Sequence, residues 1–122
     1  MASVVLVLVG GGLGSVVRYL ASLASGRFFG DGFAWGTLAV NLLGCLLIGF
    51  LVGLVDKTLL SRTFRIFAVT GFLGGFTTFS TFSLESIRYL QSDPGKGIGN
   101  ILINVLGGLT LTLVGLALAQ KV

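Results

Sequence analysis

The sequence predicts an all-α membrane protein in which a single domain, residues 1–122, contains four transmembrane helices. The first observation is composition: 54% of the 122 residues are hydrophobic and 10% are charged, whereas a soluble domain carries about 25% charged residues. The second is that four uncharged runs, of 17, 24, 19 and 24 residues, follow one another along the chain. A helix needs about 20 apolar residues to cross a bilayer, so each run is long enough for one span.

The four runs cover residues 1–17, 32–55, 66–84 and 97–120. We predict helices, because lipid admits only helices or closed barrels and the runs lack the alternation of barrel strands. The first run has no basic segment before it, so we expect a retained helix and not a signal peptide. The connections are residues 18–31, 56–65 and 85–96, and the last contains the turn sequence Asp93-Pro94-Gly95.

The scarcity of reactive side chains excludes several kinds of site. The chain has no His and one Cys, which excludes His or Cys metal clusters and an intramolecular disulfide. The four acidic residues are scattered, which argues against paired-carboxylate catalysis, so we expect no enzyme. The eight basic residues form no patch, and we therefore expect membrane lipid and not nucleic acid as the surroundings.

The distribution of Lys and Arg predicts the topology. With four spans, the first and third connections share one side of the membrane, and the second connection shares the other side with the C-terminus. Each side then carries four basic residues, so the positive-inside rule gives no preferred orientation. We predict dual topology, in which two oppositely inserted copies form an antiparallel homodimer with an isologous interface. The alternative is that a subtler signal, such as folding of the first helix, sets one orientation.

Glycine occurs 20 times, and three pairs are spaced four residues apart in the apolar runs. This spacing lets helix backbones approach closely and predicts tight helix packing. The pairs are Gly10/Gly14, Gly49/Gly53 and Gly71/Gly75.

The third run contains a segment that is unfavourable for a continuous helix. Gly74-Gly75 is followed by Thr77-Thr78, and none of these residues is a strong helix former. We predict that the third helix is broken in mid-membrane, which would free carbonyls for a cation and N–H groups for an anion. The alternative is a glycine kink whose backbone groups are satisfied by Ser and Thr side chains.

Phenylalanine recurs at every third position of this segment, at Phe76, Phe79 and Phe82, and hydroxyl side chains lie between. An aromatic ring has a positive edge and a negative face. Ring edges together with hydroxyl donors suit a small dehydrated anion, whereas ring faces would suit a cation. Residue types leave open which part of the ring faces a pathway. A stripe packed in the core or against lipid is the simpler alternative.

Polar side chains inside the apolar runs need partners. Asn41 lies near the middle of the second run, and Asn100 and Asn104 are one turn apart in the fourth. An amide at membrane depth either joins helices or lines a polar pathway. Arg18 ends the first run, where we expect its side chain to reach the membrane surface.

Two segments resemble the Fluc/CrcB family of fluoride channels. Residues 36–42 read GTLAVNL, and residues 71–83 read GFLGGFTTFSTFS. The Gly-rich first helix ending in Arg18-Tyr19 also fits. The resemblance extends over essentially the whole chain. It implies an antiparallel dual-topology homodimer in a prokaryotic cell membrane, with two pores through which toxic cytoplasmic fluoride leaves passively.

The resemblance also implies roles for particular residues. Phe79 and Phe82 would contact fluoride through their ring edges, and Asn41 would be the pore amide. Ser80 and Thr81 would belong to a hydroxyl track along the broken third helix.

In the same family, backbone carbonyls hold a central sodium ion that is structural and is not transported. By matching positions, the ligands here would be the carbonyls of Gly74 and Thr77 in both copies. The family's pore position on the fourth helix is poorly matched in this sequence, so the resemblance does not decide whether Asn100 or Asn104 takes that role.

Three alternative functions are compatible with a small four-span protein. A dual-topology proton-coupled multidrug transporter needs a carboxylate at the bilayer midplane, and the only candidate is Glu85, at the end of its run. A cation channel could use a carbonyl filter at residues 74–78. A non-transporting assembly subunit would leave the polar segment without a role.

Overall fold

The computed structural model describes the whole chain, Met1–Val122, and it is all helical. The prediction of four spans is confirmed, because four helices are long and apolar enough to cross a membrane: Ala2–Phe29, Trp35–Asp56, Arg62–Ser92 and Pro94–Gln120. Only 20 of the 122 residues are buried. The apolar side chains that cover the outside of the bundle therefore need lipid or another protein as their solvent.

The first two spans are continuous helices, which we call α1 (Ala2–Phe29) and α2 (Trp35–Asp56). The sequence predicted that residues 18–31 connect them, and this was wrong. No proline interrupts residues 18–29, so α1 continues until Gly30, whose φ of 73° ends it. Arg18 thus lies inside α1. Without Arg18, one side has three basic residues and the other has four: Arg27, Arg88 and Lys96 against Lys57, Arg62, Arg65 and Lys121.

The third span is divided into two helices, α3 (residues 62–76) and α4 (Phe79–Ser92). Within α3, residues Ile66–Leu73 are π-helical. Between the two helices, Thr77 and Thr78 have extended backbones, with φ, ψ values of −86°, 159° and −148°, 118°. The Thr78 side chain accepts a hydrogen bond from Thr81 N–H and so caps the start of α4.

The interruption lies later than the sequence indicated. We expected it to begin at Gly74, but Gly74 and Gly75 both belong to a helical segment, Gly74–Phe76. The two glycines instead allow close packing. A Cβ atom on Gly75 would overlap the carbonyl oxygen of Gly11 in α1.

The fourth span is α5 (Pro94–Gln120), with a π-helical segment at Ile103–Gly107. It begins at the predicted turn, where the Asp93 side chain accepts a hydrogen bond from Lys96 N–H and Pro94 occupies the first turn. Proline has no N–H to lose at this position, so it starts the helix.

Glycines bring the helices together in two pairs. In the contact of α1 with α3, a Cβ atom on Gly14 would overlap the Phe72 carbonyl. In the contact of α2 with α5, a Cβ atom on Gly49 would overlap the Thr112 carbonyl. The expected tight packing at the glycine pairs is therefore confirmed. A small core between these pairs, formed by Val40, Leu73 and Phe76, holds the end of α3 against α2.

Candidate functional site

A cavity of about 360 Å³ opens beside the interruption of the third span. It is bordered by α2, α3, α4 and α5, and both π-helical segments contribute to its wall. A π turn is wider than an α turn and often marks a functional site. No charged side chain lines the cavity, and its polar side chains are those of Asn41, Thr77, Thr78 and Asn104, together with the Cys45 thiol.

Asn41 binds the extended backbone directly. Its Oδ1 accepts a hydrogen bond from Thr78 N–H at 2.9 Å, and its Nδ2 donates to the Thr78 carbonyl at 3.1 Å. The side chain therefore satisfies both backbone groups of a residue that no helix satisfies. Because an unpaired backbone group at this depth is costly, Asn41 stabilises the interruption.

The Asn41 amide also begins a chain of amides. Its Nδ2 donates to Asn104 Oδ1 at 3.2 Å, and Asn104 Nδ2 donates to Asn100 Oδ1 at 3.1 Å. Asn100 Nδ2 then donates to Ser86 Oγ at 2.9 Å. Asn100 is 1% exposed, so this chain joins α2, α4 and α5 in the interior of the protein. In this arrangement both N–H groups of Asn41 already have acceptors.

The sequence left open whether the asparagines join helices or line a pathway. The structure gives Asn41 and Asn104 both features, since each joins two helices and each also lines the cavity. Asn100 lies behind them and does not reach the cavity. Ser86 was not predicted from the sequence as a member of this chain, although it follows Phe79 by seven residues and so lies on the same face of α4.

The last carbonyls of α3 have different partners. The Leu73 carbonyl accepts hydrogen bonds from the N–H and the hydroxyl of Thr77, both at 3.0 Å. In a continuous helix the Gly74 carbonyl would accept from Thr78 N–H, but that donor is bonded to Asn41. The Gly75 carbonyl accepts from Arg18 Nε at 3.1 Å.

Gly74 and Thr77, the expected ligands of a cation, both line the cavity. Gly74 is exposed, and an added Cβ atom there would meet nothing within 4 Å. No group of three or more His, Cys, Asp or Glu side chains comes together in the chain. Oxygen atoms in this part of the wall belong to backbone carbonyls and to the hydroxyls of Thr77 and Thr78, and oxygen is the donor that a hard cation prefers.

The three phenylalanines have different positions. Phe82 is 8% exposed and forms the inner wall of the cavity, whereas Phe79 is 79% exposed at its open side. Their ring centroids are 5.7 Å apart and their planes are inclined by 54°. Phe76 is buried in the core and stacks on Phe72, so it takes no part in the cavity.

Ser80 and Thr81, the two residues expected to form a hydroxyl track, do not line the cavity. Ser80 is exposed, and the Thr81 hydroxyl accepts a hydrogen bond from the Thr78 hydroxyl at 3.0 Å. Neither residue belongs to the cavity wall. The structure thus brings together Asn41, Phe79 and Phe82, with Gly74 and Thr77 beside them, and it places Ser80 and Thr81 outside.

Comparison with known proteins identifies the family. Residues 5–116 match the family described as CrcB-like protein, Camphor Resistance (CrcB). The chain belongs to the CrcB-like family. It is 45% identical to the fluoride-specific ion channel FluC of Agrobacterium fabrum over 99% of this chain and 98% of that protein. It is 43% identical to the FluC of Clostridium perfringens, over 91% of this chain and 88% of that protein, and 42% identical to the FluC of Phocaeicola vulgatus, over 88% and 93%.

Membership of this family confirms that the chain is not an enzyme, since its relatives are ion channels. With four membrane-spanning helices, it is a multi-pass protein of the cell membrane. Glu85 is the carboxylate that a proton-coupled transporter would need, and it does not line the cavity beside the interruption. Glu85 Oε1 accepts a hydrogen bond from the Thr37 hydroxyl at 2.8 Å, beside a separate cavity of about 250 Å³.

Proposed function

We propose that this protein is a passive channel that exports cytoplasmic fluoride across the cell membrane. The observation that carries the proposal is the cavity beside Thr77 and Thr78, where an amide, two phenylalanines and an interrupted backbone meet in a membrane span. Relatives that are 42–45% identical and that align over most of their length carry the name of fluoride-specific ion channels.

Fluoride is small and strongly hydrated, so a narrow pore must replace its water with other donors. The first N–H groups of a helix have no partner within that helix, and α4 begins at the cavity with Phe79 and Ser80. The positive end of the α4 dipole also lies there. The positive ring edges of Phe79 and Phe82 add further electropositive groups. Asn41 Nδ2, which donates to Thr78 and Asn104, would have to exchange one of these acceptors to donate to the anion.

Release of the ion is as important as its capture. Conduction requires binding strong enough for entry and weak enough for exit. Because no Lys or Arg lines the cavity, fluoride meets dipoles and ring edges and no positively charged side chain at close range. This arrangement favours passage over tight binding.

The cavity is open on one side, and the second copy in an antiparallel homodimer would close it. The exposed Phe79 and Gly74 lie at this open side. Outside the interiors of the spans, the two membrane sides carry three and four basic residues, which supports insertion in both orientations. We expect a C-terminal tag to be accessible from both sides of the membrane. Labelling from one side alone would contradict dual topology while leaving a fluoride pathway intact.

A structural sodium ion between the two copies is part of the proposal. The carbonyls of Gly74 and Thr77 would hold it, and the ion would supply positive charge that braces the interface. We expect the thermal stability of the purified dimer to fall when sodium is replaced by N-methylglucamine, with Thr77→Ser unaffected because its carbonyl remains. Equal melting in both buffers would contradict the sodium site.

Fluoride efflux from liposomes that contain the purified protein tests the function. We expect rapid loss of fluoride, measured with a fluoride electrode, and at least about a hundredfold slower loss of chloride. A cationic dye trapped in the same liposomes tests proton-driven multidrug transport and should be retained. Liposomes that keep their fluoride would overturn the proposal.

A further inference from the structure

Arg18 is a charged residue deep inside a membrane span. α1 has 28 residues, so it is about 42 Å long, and Arg18 precedes its last residue by about 16 Å. The hydrocarbon core is about 30 Å thick. If α1 is centred in it, about 6 Å of helix extends beyond each surface. The Cα atom of Arg18 then lies about 10 Å inside the core.

From the sequence we expected the Arg18 side chain to extend to the nearer membrane surface, but it does not. Helical side chains point toward the N-terminus of their helix, and for Arg18 this direction leads away from that surface. Its Nε is held at 3.1 Å from the Gly75 carbonyl. The guanidinium is therefore fixed at the end of α3, beside the interruption.

No acidic residue in the neighbouring segments neutralises this charge. Residues 2–17 of α1 and residues 66–84 of the third span contain no charged side chain. The nearest acid in the third span, Glu85, accepts a hydrogen bond from Thr37 at Oε1, its Oε2 is buried without a partner, and neither oxygen bonds to Arg18. Of the five N–H donors of the guanidinium, Nε–H is the one that bonds within the chain.

An uncompensated cation at this depth is expensive and usually functional. We propose that Arg18 is a positioning residue that supplies the positive potential by which the anion is drawn into the interrupted span. This inference rests on the proposed fluoride channel. Gly75, to which Arg18 binds, is adjacent to Gly74 in the cavity wall, but Arg18 itself is not part of that wall. The charge acts on the pathway from behind the backbone and is not a ligand.

This separation reconciles attraction with release. A unit charge at a distance of about 10 Å, with an effective dielectric constant of about 20, raises the local concentration of an anion by about tenfold. A guanidinium in direct contact with fluoride would bind it far more strongly and slow its exit. The hydrogen bond to the Gly75 carbonyl fixes the guanidinium behind the wall, because that carbonyl is itself fixed by the close packing of α3 on α1.

Electrical recording in planar bilayers tests the inference through the dependence of current on fluoride concentration. In Arg18→Gln we expect the half-saturating fluoride concentration to rise at least about fivefold, with the maximal current reduced much less. Arg18→Lys keeps the charge and should stay within about twofold of the wild type. Arg27→Gln is the matched control, since Arg27 lies in the last turn of the same helix and is exposed.

The outcomes separate this inference from the proposed function. A wild-type protein without fluoride current contradicts the channel itself. A conducting wild type together with a folded Arg18→Gln variant of unchanged half-saturation overturns the role of Arg18. If Arg18→Gln does not fold, Arg18→Lys decides, because a fivefold shift in a folded Lys variant would show that shape and not charge matters.

Discussion

Replacing Phe79 or Phe82 by Ile is expected to lower fluoride flux by about a hundredfold or more, which corresponds to about 2.7 kcal/mol on the barrier. Ile keeps much of the apolar volume but has no positive ring edge to replace the water of the anion. Liposome efflux measures the flux, and gel filtration measures the yield of folded protein. We expect that yield to change little for Phe79→Ile, because Phe79 is 79% exposed within one copy.

Phe28→Ile is a close control for Phe79→Ile. Phe28 is also 79% exposed, but it lies at the end of α1, outside the cavity. The same loss of an exposed ring should therefore leave fluoride flux unchanged. Normal flux in both Phe79→Ile and Phe82→Ile would exclude a pathway that passes these rings.

The number and order of the four spans were predictable, because they depend only on which segments are apolar and which carry charged residues. Each span is an apolar run between charged residues, and in lipid such a run satisfies its own backbone hydrogen bonds by forming a helix. The end of α1 was not predictable in this way. Arg18 interrupts an apolar run, but a single Arg does not end a helix, and its acceptor on Gly75 is 57 residues away.

The position of the interruption shows a similar limit. Gly74 and Gly75 have low helix propensity, yet both are helical. The chain leaves the helix at Thr77 and Thr78, where a side chain distant in sequence supplies the missing partners. Thr78 N–H binds Asn41, 37 residues earlier. Local propensity indicated the correct segment, and tertiary hydrogen bonding decided which residues opened.

The cavity residues were predictable only in part. The amide and aromatic side chains stand out in an apolar sequence, and the structure brings Asn41, Phe79 and Phe82 together. Ser80 and Thr81 were assigned to a hydroxyl track because the segment resembles the family's third-helix motif. Helix α4 turns them away from the cavity, since successive residues of a helix point about 100° apart.

Replacing Asn41 is expected to lower both fluoride flux and thermal stability, and we consider two substitutions. Asn41→Leu removes three hydrogen bonds, two to Thr78 and one to Asn104. It leaves backbone groups of Thr78 unpaired, at about 1–3 kcal/mol each. We expect a clearly lower melting temperature and a loss of flux of about a hundredfold or more.

Asn41→Asp keeps an acceptor for Thr78 N–H but removes the N–H donors and adds a carboxylate that repels fluoride. We therefore expect its flux to fall as far as that of Asn41→Leu. Its melting temperature should fall as well, because the second carboxylate oxygen would face the Thr78 carbonyl and Asn104 Oδ1. Thr112→Val is the control, because it removes a hydrogen bond from α5 to the Cys45 carbonyl of α2, and the Thr112 side chain itself does not line the cavity. It should change melting modestly and leave flux intact. If Asn41→Asp conducts like the wild type, the amide is a structural clamp for the interruption and fluoride passes elsewhere.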